Sequence, residues 1–262
     1  MLTAAIFIPL AGAVAVLALR RAPDRTLRVV ATAIATIPLV LTVVAWLRFD
    51  TGTGGFQLVE SARWIPSLGV TYKVGLDGLS LPLVALTALL FPLSIAYPAD
   101  AKGRLREYLA WFLFLESMSL GVFLALDLFL FYVFFDLSLV GMYFLIGQWG
   151  HGEARRSALK FFIYTLAGTL LVLLGIFGLY LEMAPRTFDM AEIIRQQPLA
   201  GNALAGGLVF LAFVVGFGIK TPVVPFHTWL PPAHVDAPGP ASAILAGVLL
   251  KMGTYAFICV VL

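Results

Sequence analysis

Long apolar segments separated by short polar connections dominate this sequence of 262 residues. A helix needs about 20 mostly apolar residues to cross the hydrocarbon core of a bilayer. Hydrophobic residues make up 61% of the chain and charged residues only 12%, whereas soluble domains carry about 25% charged residues. The pattern therefore predicts an all-α fold, a polytopic bundle of about eight transmembrane helices embedded in the lipid bilayer.

The predicted spans are bounded by the points where each apolar run begins and ends. They cover residues 3–19, 29–47, 79–97, 108–126, 128–149, 157–181, a seventh run from about 203, and 241–262. The seventh helix is predicted to be broken near Pro222 and Pro225, because prolines remove backbone donors and clash with preceding carbonyls. We divide the chain into residues 1–107, with spans one to three, and residues 108–262, with spans four to eight.

Basic residues indicate how these spans are oriented. The loops after the first, third and fifth spans hold ten Lys and Arg, whereas the longer connections after the even spans hold five. Because short basic loops stay in the cytoplasm, we expect a periplasmic N-terminus and a periplasmic loop at 49–78. The first run lacks the basic start of a signal peptide, so we expect it to be retained. The basic residues form no single patch, which argues against nucleic-acid binding.

Two outer loops carry weaker signals. Residues 70–75, Val-Thr-Tyr-Lys-Val-Gly, are compatible with a strand or hairpin edge. Residues 189–197, with Asp189 near the start, fit a short amphipathic helix. We favour plain interfacial connectors in both places.

Four charged side chains lie inside apolar runs, namely Glu116, Asp136, Lys220 and Lys251. A charge in hydrocarbon costs roughly 3 to more than 10 kcal/mol, so such residues indicate an ion or proton path. Lys251 lies about ten residues from either end of its run, too deep to snorkel to the surface. We therefore expect both lysine amines to be buried.

The segment after Lys220 combines that lysine with the two prolines and His227. Carbonyls freed at membrane depth need protein, water or an ion, and broken transporter helices place such backbone beside a substrate path. A buried acid and a buried lysine favour each other's charged forms while desolvation opposes them, so moving the acid lets the lysine release a proton. The structural alternatives are a kinked span that ends at an interfacial turn, Trp-Leu-Pro-Pro at residues 229–232, and, for Glu116, an ordinary interhelical hydrogen bond.

Two motifs carry a specific family resemblance. Residues 220–231, Lys-Thr-Pro-Val-Val-Pro-Phe-His-Thr-Trp-Leu-Pro, and residues 245–255, Leu-Ala-Gly-Val-Leu-Leu-Lys-Met-Gly-Thr-Tyr, resemble the antiporter-like subunits of bacterial NADH–quinone oxidoreductase (respiratory complex I), and among them the subunit M type. The wider family includes subunits of Mrp-type antiporters. Residues 75–80, 127–135 and 142–147 also fit, so the resemblance runs from about residue 70 onward.

The resemblance implies two inverted half-channels, each with a broken helix, of which this chain holds the first. It implies a multi-pass protein of the bacterial inner membrane, beside the L- and N-type subunits of the membrane arm. Lys220 would be the proton-carrying lysine, Lys251 the central connecting lysine, and His227 part of the hydrated path between them. Asp136 stands in place of a glutamate that pairs with the first lysine. Since aspartate is one methylene shorter, we expect either a water that bridges it to Lys220 or a weak coupling between the two groups.

Three functions remain open after this reading. The first is a proton-translocating subunit of NADH:quinone oxidoreductase, an enzyme subunit with no redox chemistry of its own, whose pathway includes Glu116. The second is an Mrp-type cation/proton antiporter subunit, and the third a non-conducting structural membrane module. The single cysteine and three histidines show no metal-ligand spacing, and no nucleotide-binding glycine loop is present. We therefore expect no cofactor and no metal.

Overall fold

The computed structural model describes residues 1–261 as a helical bundle with one small sheet. The helices are α1 Leu2–Ala18, α2 Asp24–Arg48, α3 Ser80–Ala96, α4 Leu105–Leu124, α5 Leu128–Trp149, α6 Ala154–Glu182, α7 Met190–Gln196, α8 Ala203–Lys220, α9 Leu230–Asp236, α10 Gly239–Ile244 and α11 Leu250–Val261. The strands are β1 Gln57–Ile65 and β2 Val70–Leu76. A turn of π-helix at Leu245–Leu249 joins α10 to α11.

The prediction of a polytopic helical membrane protein is confirmed. Within residues 1–261, six helices are long and apolar enough to cross a membrane, namely α2, α4, α5, α6, α8 and the continuous helix Gly239–Val261. The apolar helices α1 and α3 are shorter, with 17 residues each. Each predicted apolar run therefore coincides with a helix in the described residues, and the last residue of the eighth run, 262, lies outside them.

Polar side chains just before two of the helices explain where those helices begin. Asp127 precedes α5, and its Oδ1 accepts hydrogen bonds from the backbone N–H groups of Phe129 at 3.0 Å and Leu130 at 3.1 Å. Asn202 precedes α8 and accepts from the N–H of Ala205 at 3.1 Å. Each cap satisfies backbone donors that have no partner inside the helix.

The most enclosed helix is α4, which packs against α1, α3 and α5. Glycines let α5 approach it closely. A Cβ at Gly121 would lie 2.5 Å from a carbon of the Phe134 ring, and one at Gly141 would lie 3.2 Å from Phe114. These contacts set an antiparallel register, in which residue 121 faces 134 and residues 114–115 face 141.

The outer loop at 49–78 forms a hairpin, so the favoured expectation of a plain connector is wrong. β1 and β2 pair antiparallel, with Gln57 opposite Leu76 and Ile65 opposite Val70. The strands turn at Gly69, whose φ of +69° suits glycine. A Cβ at Gly69 would also lie 2.5 Å from the Arg186 carbonyl oxygen. The hairpin is therefore a structured element, and the fold is a helical bundle with one sheet rather than strictly all-α.

The second outer connection contains the short helix α7, which also replaces the plain connector we favoured. Asp189 caps α7 by accepting from the N–H groups of Ala191 and Glu192. The same side chain forms an ion pair with Lys73 of β2, with a 2.5 Å distance from Nζ to Oδ2. The Lys73 carbonyl accepts from the Leu126 N–H at 2.9 Å. These bonds tie the hairpin to the end of the bundle where α4 ends and α5 begins.

Candidate functional site

Helix α8 ends at Lys220, and the chain is irregular until α9 begins at Leu230. The indole Nε1 of Trp229 donates to the carbonyl oxygen of Ile219 at 2.8 Å, and Trp229 is almost fully buried. Pro222 has no N–H to donate to the Gly218 carbonyl, and this carbonyl accepts from the N–H of Val223 at 2.9 Å instead. The Ile219 carbonyl therefore lacks its usual backbone donor, which would be Val223. The indole therefore provides a side-chain donor to the end of α8, as a buried backbone carbonyl requires.

The side chain of Lys220 is buried, with 2% of its surface exposed. Within residues 1–261, no group accepts a hydrogen bond from its Nζ. The ammonium instead lies 4.7 Å from the centre of the Phe135 ring, within the range of a cation–π attraction. The face of the Phe135 ring is thus the neighbour of the Lys220 amine.

The carboxylate of Asp136 is held by a different neighbour. Its Oδ1 accepts a 2.9 Å hydrogen bond from the Thr169 hydroxyl of α6, and Thr169 is buried. Among the residues that the structure describes, Asp136 and Lys220 form no ion pair within 4.0 Å. The acid and the amine therefore have separate partners, on α6 and on α5 respectively.

Helix α11 packs against the end of α8 through Gly253. A Cβ at this position would lie 3.1 Å from the Thr221 backbone nitrogen and 3.2 Å from the Lys220 Cβ. On the α5 side, the Ser138 hydroxyl lies 3.8 Å from the Met252 sulfur. Lys251 precedes Met252 by one residue and Gly253 by two. These contacts therefore place Lys251 at about the same height along the bundle as Lys220 and Asp136.

The expected burial of Lys251 is wrong for the described chain, because this side chain is exposed on the surface of α11. Its Nζ donates to the Ala246 carbonyl at 2.8 Å. Ala246 belongs to the π-helical turn that precedes α11, and such turns often occur at functional sites. His227 is likewise exposed, in the irregular segment between α8 and α9.

Glu116 is fully buried on α4. In the described part of the chain, both of its carboxylate oxygens lack a hydrogen-bond partner, as do the hydroxyls of Tyr108, Ser117 and Ser119 on the same helix. The α4–α5 register sets Asp136 at the height of residues 119–120, but on the side of α5 that faces α6, where Thr169 donates to it. The alternative of a satisfied interhelical hydrogen bond for Glu116 does not hold within residues 1–261.

Three neighbours of the site were missed by the sequence reasoning, namely Phe135, Thr169 and Trp229. Hydropathy gives no signal for the first two, because an aromatic residue and a threonine are ordinary in a membrane helix. Trp229 lies inside the motif at 220–231, where its indole was read only as part of an interfacial turn.

Comparisons with known proteins give consistent results. Residues 125–262 match the family described as NADH:quinone oxidoreductase/Mrp antiporter, TM. NADH-quinone oxidoreductase subunit M of Rhodobacter capsulatus is 41% identical over 266 residues, which cover 96% of this chain and 51% of that protein. A chain of respiratory complex I from Thermus thermophilus superposes with a TM-score of 0.83 at 31% identity, covering 99% of this chain and 52% of that one.

The Mrp complex from Dietzia sp. also contains a similar chain, with a TM-score of 0.83 at 23% identity. That superposition covers 98% of this chain and 28% of the other chain, and it concerns the fold alone. The chain spans about half the length of the curated relatives that it matches. Because the family match from residue 125 to residue 262 covers more than half of the sequence, the chain belongs to the NADH:quinone oxidoreductase/Mrp antiporter transmembrane family.

Proposed function

We propose that this chain carries the first half of a proton-transfer path in the membrane arm of NADH–quinone oxidoreductase. Electron transfer in partner subunits drives the path, and no redox chemistry takes place on this chain. The observation that carries the proposal is the buried Lys220 ammonium, which lies over the Phe135 ring and has no hydrogen-bond acceptor within residues 1–261. A charge held so weakly in a membrane is costly unless it has a use.

Lys220 is the proton carrier in this proposal, and Asp136 adjusts its affinity for the proton. A carboxylate that approaches an ammonium stabilises the charged amine, and one that withdraws favours proton release. The Thr169 hydroxyl donates to Asp136, and within the described residues no ion pair joins Asp136 to Lys220, so the two groups act on each other across a gap. The gap is consistent with a bridging water, as expected for an acid one methylene shorter than glutamate.

Lys251 receives the proton from Lys220 in the next step, with His227 on the hydrated path between them. Support comes from the packing of Gly253 against Lys220 and Thr221, which brings α11 to the end of α8. The exposed side chain of Lys251 faces away from the enclosed part of the bundle. On this outer side, a second half-channel like that expected in the longer relatives could continue the path.

Buried polar groups on α4 form a second part of the proposed path. Glu116, Ser117 and Ser119 are buried and lack partners within the described residues. Buried polar atoms of this kind are usually satisfied by internal water. We therefore place Glu116 on the water-filled route rather than in a purely structural contact.

We further propose eight spans, with α8, residues 221–229 and α9 forming the broken seventh. The 17-residue helices α1 and α3 reach about 25 Å at 1.5 Å per residue, slightly less than the hydrocarbon thickness of about 30 Å. Both pack beside α2 and α4, two of the long apolar helices. The basic loops after α1, α3 and α5 then face the cytoplasm, with the N-terminus in the periplasm of a bacterial cell.

The partners in this proposal are the other antiporter-like subunits of the membrane arm, of L and N type. They bring the redox-driven change of charge or conformation to this chain. A lipid-facing surface surrounds the remainder of the bundle.

Exchanging the acid tests the proposal. In the assembled complex, Asp136→Glu should preserve or raise proton pumping per NADH oxidised, because the longer side chain reaches further toward Lys220. Asp136→Asn should lower it, because the charge is lost. Asp24→Asn at the exposed start of α2 is a matched control. If Asp136→Asn pumps like the unaltered protein, the pairing of Asp136 with Lys220 is wrong.

An Mrp-type cation/proton antiporter is the second candidate, because the family includes it and the fold matches a chain of an Mrp complex. The two functions differ in their driving force. Vesicles that move protons when a sodium gradient is imposed without NADH would favour the antiporter. Vesicles that move protons only during NADH oxidation would favour the respiratory function.

A further inference from the structure

A cavity of about 550 Å³ opens at the end of the bundle opposite the hairpin. It lies between the α3–α4 connection and the junction of α5 with α6. Its charged lining residues are the four basic side chains Lys102, Arg104, Arg155 and Arg156, and the one acid Glu153. A cavity rimmed mainly by basic groups at a membrane surface fits an anion.

Two of these basic groups are fixed in position by the protein. The Lys102 Nζ donates to the Gly150 carbonyl at 2.5 Å. The Arg104 guanidinium donates to the Glu107 carboxylate and to Gln148 Oε1, the latter at 2.7 Å. It also lies 5.2 Å from the centre of the Trp149 ring. Such side chains lose little conformational freedom when an anion binds.

The positive charge of the cavity is only partly neutralised. Arg104 pairs with Glu107 and Arg156 pairs with Glu153. Within the described range 1–261, Lys102 and Arg155 take part in no ion pair. Two cationic side chains at the rim therefore remain available for an anionic ligand.

The surface of α6 next to the cavity is apolar. Leu159 and Ile163 are about half exposed and follow Arg155 by four and eight residues, so all three lie along one face of the helix. Leu170 and Leu174 continue this exposed strip toward the other end of α6. A free anion would make no use of the strip, whereas the acyl chains of a lipid would lie along it.

We propose that this cavity binds the phosphate headgroup of an anionic phospholipid, with the acyl chains on the exposed strip of α6. The lipid would fill the gap between the α3–α4 and α5–α6 connections and fix the start of α6, the helix that supplies Thr169. This site is separate from the proton path and does not depend on it.

Native mass spectrometry of the purified chain in detergent tests the site, with phosphatidylglycerol and phosphatidylcholine as the added lipids. The double variant Lys102→Gln, Arg155→Gln should weaken phosphatidylglycerol binding about tenfold, because two cations near the headgroup are lost. Phosphatidylcholine binding should change little. The control variant Arg20→Gln, Arg21→Gln removes the same charge from the exposed α1–α2 connection and should bind phosphatidylglycerol normally.

Three outcomes would overturn the proposal. They are equal losses in both double variants, no loss in either, and complete displacement of the lipid by inorganic phosphate, which would indicate a free-anion site. Circular dichroism of each variant checks that helix content is unchanged. If the double variant fails to fold, Arg155→Gln alone serves, because this exposed side chain takes part in no ion pair within residues 1–261 and should still show about a threefold loss.

Discussion

The Thr169 hydroxyl donates a 2.9 Å hydrogen bond to Oδ1 of Asp136. The neighbouring residue on α5, Phe135, presents its ring to the Lys220 ammonium at 4.7 Å. Phe135 and Asp136 are adjacent on α5 and have separate contacts, Phe135 with the Lys220 amine and Asp136 with the Thr169 hydroxyl. The separation between acid and amine is set by their neighbours, and changing those neighbours should change proton movement.

Thr169→Val should lower proton pumping in the assembled complex, since valine keeps the shape of threonine without its hydroxyl. A hydrogen bond to a charged group contributes about 1.5–3 kcal/mol, so we expect roughly a tenfold loss in the rate of pumping. Thr169→Ser keeps the hydroxyl and should retain most of the activity. Equal activity in the two variants would show that the hydrogen bond to Asp136 has no part in the path.

Phe135→Leu should also reduce pumping, because it removes the ring face beside the Lys220 ammonium. A desolvated cation–π contact contributes about 2 kcal/mol. Phe131→Leu is the matched control, since Phe131 is a buried ring on the same helix that stacks on Phe135 at 5.2 Å. Both variants should lose similar thermal stability, and only Phe135→Leu should lose pumping. Equal losses of pumping in both variants would show that Phe135 acts only through packing and not through its contact with Lys220.

Gly253→Ala should push α11 away from the end of α8. The new methyl group would meet the Thr221 backbone nitrogen at 3.1 Å and the Lys220 Cβ at 3.2 Å, and overpacking of this kind costs about 1–3 kcal/mol. Gly218→Ala on α8 adds the same methyl group where no atom lies within 4 Å. Thermal melting and pumping should both fall for Gly253→Ala and stay unchanged for Gly218→Ala. If Gly253→Ala and Gly218→Ala behave alike, the close approach of α11 to α8 is not needed for stability or pumping.

Glu60 of β1 makes the stability of the outer end depend on pH. Its carboxylate accepts hydrogen bonds from the N–H groups of Leu2 and Thr3 at the start of α1, at 2.8 and 2.9 Å. Burial raises the pKa of Glu60, but hydrogen bonds from the Met1 ammonium, the Thr3 hydroxyl and these two N–H groups outweigh burial. Together they lower the pKa from 4.5 to about 2.

Since the pKa is lower in the folded state, the stabilisation is fully present above pH 4.5 and is lost as the pH falls toward 2. The melting temperature of the unaltered protein should exceed that of Glu60→Gln at pH 7, and the difference should shrink below pH 4.5. Thermal melts in detergent across this range measure the difference. A constant difference at all pH values would contradict the role of the Glu60 charge.

The sequence was sufficient to predict the helices and the burial of Lys220. The thickness of the membrane determines the length of the apolar runs, so they can be recognised in a sequence. Charged residues inside such runs are rare and are therefore easy to identify. The side of each helix that faces the protein was not predictable, because lipid and protein interiors are both apolar. For that reason Lys251 was expected to be buried, although it lies on the surface of the described chain.

The contacts of the site depend on helix packing, which a single sequence does not reveal. Thr169 meets Asp136 only because α5 and α6 pack in one register. A hairpin at residues 70–75 was considered but not favoured, since the pairing of this segment with the α4–α5 connection and with Asp189 is long-range. The strand propensity of residues 70–75 alone was a weaker signal than these long-range contacts.

The most direct measurement is the ratio of protons pumped to NADH oxidised for Lys220→Ala in the assembled complex, reconstituted in sealed vesicles. Lys160→Ala is the control, because Lys160 is exposed near the start of α6. The account predicts that the ratio falls for Lys220→Ala and stays unchanged for Lys160→Ala. An unchanged ratio for Lys220→Ala would contradict a proton path through this lysine and would favour a non-conducting structural role for the chain.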